Sequence, residues 1–307
     1  MKTIIATRVF LVALLVLAFG SVSQAGLLGQ WTFEPGEELI DKQSNWQPLQ
    51  LAGNAAVLGS GELDVNGAGT NSTGWAGTPN ATGYSGPQIV DHTLVSWATM
   101  QSLAPPNAGS ILTIDRAGDH FDGIVFGERS ANRWMAGSSF FDRSGTPGDF
   151  AGAGAVEGTT GQVIQMAISY DDQDNVPGGN MTVTGYRNGV NIGSYVSGNG
   201  SSWNTGDAEI LFGIRHGNIG GGPGGIDALI EEAHIYDMVL TQQEIQNLQI
   251  FKAGQPGPSP GPQPGPQPGP APGPGGAAAP EPSALALAVL ALMGIHASTW
   301  RRRRRKT

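Results

Sequence analysis

Apolar and polar residues alternate with a period of two through most of the chain, and Gly, Asn, Ser and Pro punctuate the runs. That period places every second side chain on one face of a half-buried strand. It predicts strands at Leu27–Phe33, Glu62–Asn66, Thr93–Met100, Ser110–Asp115, Gly123–Arg129 and Arg133–Phe141. Further strands are predicted at Val163–Asp171, Met181–Val196, Glu209–Arg215 and Leu229–Asp237. Within "TVTGYRNGVNIGSY", Asn188 and Gly189 can take the positive φ angles of a type I′ turn, so that run folds back as a hairpin. One helix is signalled: Thr241 and Glu244 form a capping box, Ile245 and Leu248 share a face, and Gly254 with Pro256 stops it. Ten or more short strands and almost no helix imply an all-β sandwich or barrel.

The two ends break this pattern. "MKTIIATRVFLVALLVLAFGSVSQA" has a basic start, an apolar stretch from Val9 to Phe19 and a small-x-small site at Ser23 to Ala25. These three parts specify a signal peptide over residues 1–25, hence export. From Gly254 the chain reads "GQPGPSPGPQPGPQPGPAPGPGG" with a period of four, which excludes collagen, where every third residue is glycine. Residues 253–279 are thus a Pro-Gly-rich linker in extended conformation, whose ~20 repeat residues at ~3.1 Å each reach ~60 Å. The domain lies between, at residues 26–252. After Pro282 come eighteen residues without Asp, Glu, Lys or Arg, then Arg301 to Arg305 and Lys306. As a helix that stretch spans ~27 Å, close to the ~30 Å bilayer core. The arginines stay on the cytoplasmic side and leave the domain outside.

Charge sharpens this division. The whole chain of 307 residues carries a net charge of −9, but the basic residues gather at its ends. Without the first and last 25 residues, 8 basic residues face 25 acidic ones, a net of −17. Such a surface repels phosphate backbones and excludes a nucleic-acid partner. With no cysteine, disulfides, zinc thiolates and thiol nucleophiles are excluded as well.

In order along the chain come "GQWTFEPG", "GELDVNGAG", "VIQMAISYDD", "GYRNGVNIGSY", "ILFGIRHG" and "LIEEAHIYDMVLTQQEIQNLQ". Together they resemble the LamG-like domain of the concanavalin A-like lectin and glucanase superfamily over Leu27 to Leu248. The resemblance implies a two-sheet antiparallel jelly-roll sandwich with a short C-terminal helix. The order Pro280-Glu281-Pro282, apolar helix, then Arg301, Arg302, Arg303, Arg304 and Arg305 resembles the PEP-CTERM sorting signal over residues 280–307. That second resemblance implies an exosortase-type protease as partner, a membrane-held precursor, and release or attachment at the cell surface.

Hydrolases of the superfamily alternate two glutamates and an aspartate along one strand, because retaining hydrolysis sets a nucleophile ~5 Å from an acid. Here Glu62 and Asp64 share a face, but Asn66 stands where the second glutamate is needed. The chain is therefore expected not to be an enzyme. Glu232 and His234 can pair on one face of a strand, with Glu231 on the other; the resemblance makes all three framework residues. His92, His120, His216 and His296 show no metal-binding spacing, and "GNIGGGPGG" lacks the lysine and helix of a phosphate loop.

Two acidic loops suggest calcium as a cofactor, although neither has the spacing of an established calcium loop. One holds Asp171, Asp172, Asp174 and Asn175, the other Asp115, Asp119 and Asp122. Trp31, Trp97 and Trp134 fall in strands and belong to the core. Trp46, Trp75, Tyr84 and Trp203 fall in loops rich in Gly, Asn and Ser, where exposed rings can stack on sugars and inward ones serve local loop packing. The expected function is an exported, membrane-tethered and then processed surface or matrix protein, whose domain binds an exopolysaccharide, another glycan or a protein. A polysaccharide-degrading hydrolase or lyase and a structural protein without ligand are the alternatives.

Overall fold

The computed structural model describes residues 26–66, 74–104, 107–116, 120–137, 150–172, 179–197, 202–216 and 224–250. The segments expected to be a signal peptide, a linker and a sorting signal, including Pro280, Glu281, Pro282 and Arg301 to Arg305, lie outside the described residues, as do Asp119, Asp174, Asn175 and His296.

Fourteen strands and one helix are described: β1 Leu27–Trp31, β2 Gln50–Gly53, β3 Ala56–Val57, β4 Leu63–Asp64, β5 Gly74–Gly77, β6 His92–Met100 and β7 Gly109–Arg116. There follow β8 His120–Phe126, β9 Trp134–Gly137, β10 Val163–Asp172, β11 Met181–Arg187, β12 Val190–Ser197, β13 Glu209–Phe212, β14 Ala228–Tyr236 and α1 Gln242–Asn247. They form two antiparallel sheets, as the alternation implies. The eight-stranded sheet runs β12-β11-β10-β6-β14-β4-β3, with β1 also on β14, and the six-stranded sheet runs β2-β5-β13-β7-β8-β9.

The sequence explains the layers. In β10, Ile164, Met166, Ile168 and Tyr170 enter the core between the sheets, and Gln165, Ala167 and Ser169 face outward. All nine residues of β6 are buried, because α1 covers the outer face of the sheet as well. Under it Ile245 packs with Val95, Trp97, Ala167, Tyr186, Tyr236 and Leu240, and Gln165 Nε2 donates to the Ile245 carbonyl at 3.0 Å. The capping box is present, with Thr241 accepting from the Glu244 amide and Glu244 accepting from the Thr241 amide. The β11–β12 turn has φ of 50° at Asn188 and 69° at Gly189, as predicted.

Polar ties lock the two sheets together. Tyr170 on β10 bonds through its hydroxyl to Gly123 of β8, accepting from its amide at 3.1 Å and donating to its carbonyl at 3.2 Å. His92 on β6 stacks on Tyr170 at 4.7 Å and brings Nε2 within 3.4 Å of Asp122 Oδ2 on β8. Glu157, almost wholly buried, accepts from Arg187 Nε and Nη2 at 2.6 and 2.9 Å and from Trp134 Nε1 at 2.7 Å. Arg187 belongs to one sheet and Trp134 to the other. A bidentate charged pair in this position fixes geometry as well as energy.

Candidate functional site

Three of the four loop aromatics are core residues, as the local-packing alternative has it. Trp46 and Tyr84 are buried as a ring pair 4.2 Å apart and are joined through an antiparallel bridge. Trp203 is fully buried, bridged to Ile89, with the Arg116 guanidinium 5.6 Å over its ring. Loop composition suggested exposure, but each loop is stitched to a distant segment, so its aromatic points inward. Trp31, Trp97 and Trp134 are fully buried, as expected.

Trp75 is different. It lies on β5, where Ala76 faces the core and Trp75 and Gly77 face outward. A Cβ built on Gly77 would sit 3.1 Å from Trp75 Cζ3 and 2.6 Å from Leu211 Cδ2, so both side chains lie across that glycine on the outer face. Any larger residue at 77 would push them off it. The ring is partly exposed, which leaves a flat apolar platform on the six-stranded sheet.

The same face carries ionisable groups. Glu209 and Asp115 are directly opposed on β13 and β7, with Ile210 and Ile114 between the sheets behind them. Asp115 is buried. Burial pushes the Glu209 carboxyl above the ordinary carboxylate range, and a hydrogen bond with Asp115 pulls it partly back. The next cross-strand partner of Asp115 is Phe121 on β8, whose ring meets His216 at 5.7 Å and the Arg215 guanidinium at 5.7 Å. Arg215 Nη1 in turn binds Glu128 Oε1 at 2.7 Å, and burial raises that carboxyl too despite the arginine. The outer face of the six-stranded sheet thus carries an aromatic platform, two opposed carboxyls and a cation.

Glu128, Glu209 and Asp227 are all shifted upward, chiefly by burial, with Asp64 adding repulsion at Asp227. Each binds its proton more tightly when folded. Their contribution is full below the ordinary carboxylate range of about 4 and is lost as pH rises through the folded values. The urea midpoint should therefore rise between pH 7 and pH 5. A midpoint that fell over this interval would contradict the upward shifts.

The remaining candidates are dispersed. Asp171 and Asp172 are adjacent on β10; Asp172 is buried and its amide donates to Asp91 Oδ1 at 2.8 Å, while Asp171 is partly exposed on the opposite face. Likewise Asp115 faces outward and Asp122 faces inward toward His92. Among the described residues no group of three or more His, Cys, Asp or Glu could hold a metal ion. Glu62 precedes the two-residue β4 and Asp64 accepts from the Asn66 amide at 3.0 Å, which leaves no strand of alternating acids. Glu232 Oε1 meets His234 Nε2 at 2.5 Å, the pairing expected from their spacing. Glu231 sits at a bulge in the β14–β6 ladder and accepts from the Thr99 hydroxyl at 3.5 Å.

Asp115 was singled out as a member of an acidic loop and Glu209 was not, because the β7–β13 register joins segments far apart in the chain. Trp75 was found as an aromatic in a glycine-rich run, although β5 itself was missed.

No curated protein matches the chain. Among solved structures, it is similar to domain 4 of AbnA, a GH43 extracellular arabinanase from Geobacillus stearothermophilus in complex with arabinotriose, at 20% identity and a TM-score of 0.49. That match covers 73% of this chain and 98% of the other. A Trypanosoma rangeli sialidase is similar at 17% identity and a TM-score of 0.44, over 73% of this chain and 32% of its own. The receptor-binding domain of botulinum neurotoxin type G gives 10% identity and a TM-score of 0.45, over 72% of this chain and 50% of its own. Residues 59–246 match the Laminin_G_3 family, and the chain belongs to this family of the concanavalin A-like lectin/glucanases superfamily.

Proposed function

We propose that the chain is an exported surface protein, tethered by its C-terminal segment and then trimmed by an exosortase-type protease, whose sandwich binds a glycan on the outer face of the six-stranded sheet. The observation that carries this reading is the placement of Trp75: a partly exposed residue whose indole reaches over Gly77, on the face that holds the Glu209–Asp115 pair. Sugar rings present C–H faces to an aromatic plane and hydroxyls to nearby carboxyls, so platform and acceptors together suit a neutral saccharide. The superfamily of lectins and glucanases is consistent with such a ligand.

Binding without turnover is favoured over hydrolysis. A retaining pair needs its carboxyl groups ~5 Å apart and an inverting pair still more, to admit the glycosidic oxygen or a water. Glu209 stands directly opposite Asp115, and Asp115 is buried, which keeps the second carboxyl of this pair from a substrate.

Incubation with laminarin, agar and carrageenan should release no reducing sugar. Turnover abolished by Glu209→Gln or Glu62→Gln would make the protein an enzyme instead. On a glycan array, the full chain should retain at least one polysaccharide and Trp75→Ala should lose it, with a thermal midpoint close to the parent's. An array that stayed blank, with calcium present or absent, would favour a structural matrix protein.

A further inference from the structure

We infer that the amine which export processing frees on Gly26 is held by the Asp237 carboxylate, so that cleavage of the chain fastens its first strand to its last. The inference rests on the export part of the reading above and is independent of the glycan. Hydrolysis of the Ala25–Gly26 peptide bond breaks that C–N bond, gives the oxygen of water to the Ala25 carboxylate and leaves Gly26 with an ammonium group.

Gly26 stands directly before β1, which pairs with β14. Leu27 lies opposite Tyr236, and one step outward the Gly26 carbonyl accepts from the Asp237 amide at 3.0 Å. The Asp237 side chain turns back over the glycine: a Cβ built on Gly26 would sit 2.4 Å from both carboxylate oxygens. The carboxylate therefore faces the Gly26 α-carbon at close range. The ladder holds the Gly26 carbonyl, so rotation about the Cα–C bond carries the freed nitrogen into the position of that Cβ. Asp237 is exposed, and a small shift of its side chain opens the contact to the ~2.8 Å of a charged hydrogen bond. In the uncleaved chain the same nitrogen is a neutral amide with a single hydrogen, tied to Ala25.

The local charge favours this match. Burial first, and then the charges of Asp237 and Asp41, push the Tyr84 hydroxyl above its ordinary range, so both carboxylates act on this corner of the sandwich. Asp41 is satisfied by the amides of Gln30, Gln43, Asn45 and Trp46. Among the described residues no Lys or Arg is paired with Asp237, and an ammonium beside it offsets the charge.

The strand secured in this way is β1. Terminal segments fray unless they are tied down, and β1 carries the fully buried Trp31 as well as Gln30, which donates to Glu232 at 3.2 Å.

Mass spectrometry of the protein recovered after export reads its first residue, which should be Gly26. Hydrogen exchange and thermal unfolding of that mature chain, kept in mild detergent, are then compared before and after acetylation of the α-amine. Acetylation should speed exchange of the residue 237 amide at least about threefold and lower the thermal midpoint by about 1–2 °C, the scale of an exposed ion pair. In Asp237→Asn it should change neither, and circular dichroism should show the parent's fold, since the position is exposed. A chain that begins at Gly26 and is indifferent to acetylation would overturn the inference and leave the export reading standing, and so would an equal response in Asp237→Asn. An exported chain that begins at another residue would overturn the inference alone. One that keeps Met1 would overturn both.

Discussion

Glu232→Ala is expected to lower the unfolding free energy by about 3–5 kcal/mol, the cost of leaving a buried polar partner uncompensated. Glu232 and His234 are both fully buried on the outer face of the eight-stranded sheet. Glu232 Oε1 lies 2.5 Å from His234 Nε2 and also accepts from Gln30 Nε2 at 3.2 Å, while His234 Nδ1 lies 3.1 Å from the Tyr236 hydroxyl. Trp97 meets the imidazole edge-on at 5.0 Å. Burial and the Glu232 charge drive the Tyr236 hydroxyl well above its ordinary range, so it stays protonated and available as a donor. Removal of either acid or base strands the other beneath α1. Replacement of both by leucine should recover part of the loss, since it removes the buried pair together, although the Gln30 amide and the Tyr236 hydroxyl each lose a partner. Urea unfolding of the two single variants and the double variant reads this directly. A double-variant loss equal to the sum of the two single losses would mean that the pair is not coupled.

Trp203→Ala should cost about as much, some 3–5 kcal/mol, by a different route. A fully buried indole leaves a cavity that the sheets cannot close. Its main chain exchanges hydrogen bonds with Ile89 at 2.9 and 2.8 Å, so the segment has little freedom to collapse inward. Arg116 loses the ring beneath it, although its 2.8 Å contact with Asp207 remains. The thermal midpoint should fall by several degrees while glycan retention by the folded fraction stays unchanged. Trp75→Ala should show the opposite pattern, with retention lost and the midpoint held. A Trp203→Ala variant of parental stability that no longer retained glycan would return this residue to the surface role its loop first suggested.

That contrast marks where sequence reasoning stops. Long strands such as β10 and the β11–β12 hairpin were legible because alternation and the Asn188-Gly189 turn are local properties. The capping box of α1 is local too. β2, β3 and β5 were missed, because strands of two to four residues bracketed by glycine, such as Gly74–Gly77, show no alternation. The four loop aromatics have similar surroundings in sequence, yet three are drawn inward by partners far along the chain: Trp46 with Tyr84, and Trp203 with Ile89. Only the register of distant strands separates Trp75 from them and sets Glu209 opposite Asp115. The Glu232–His234 pair was found from the two-residue repeat alone, since both residues share one strand.

Calorimetric titration of the full chain and of Trp75→Ala, with whichever of laminarin, agar or carrageenan is retained, tests the binding face most directly. The account predicts saturable binding by the parent and a loss of at least about tenfold in the variant, or 1.4 kcal/mol, at an unchanged thermal midpoint. Equal affinity in the two proteins would contradict it and place the ligand elsewhere on the sandwich.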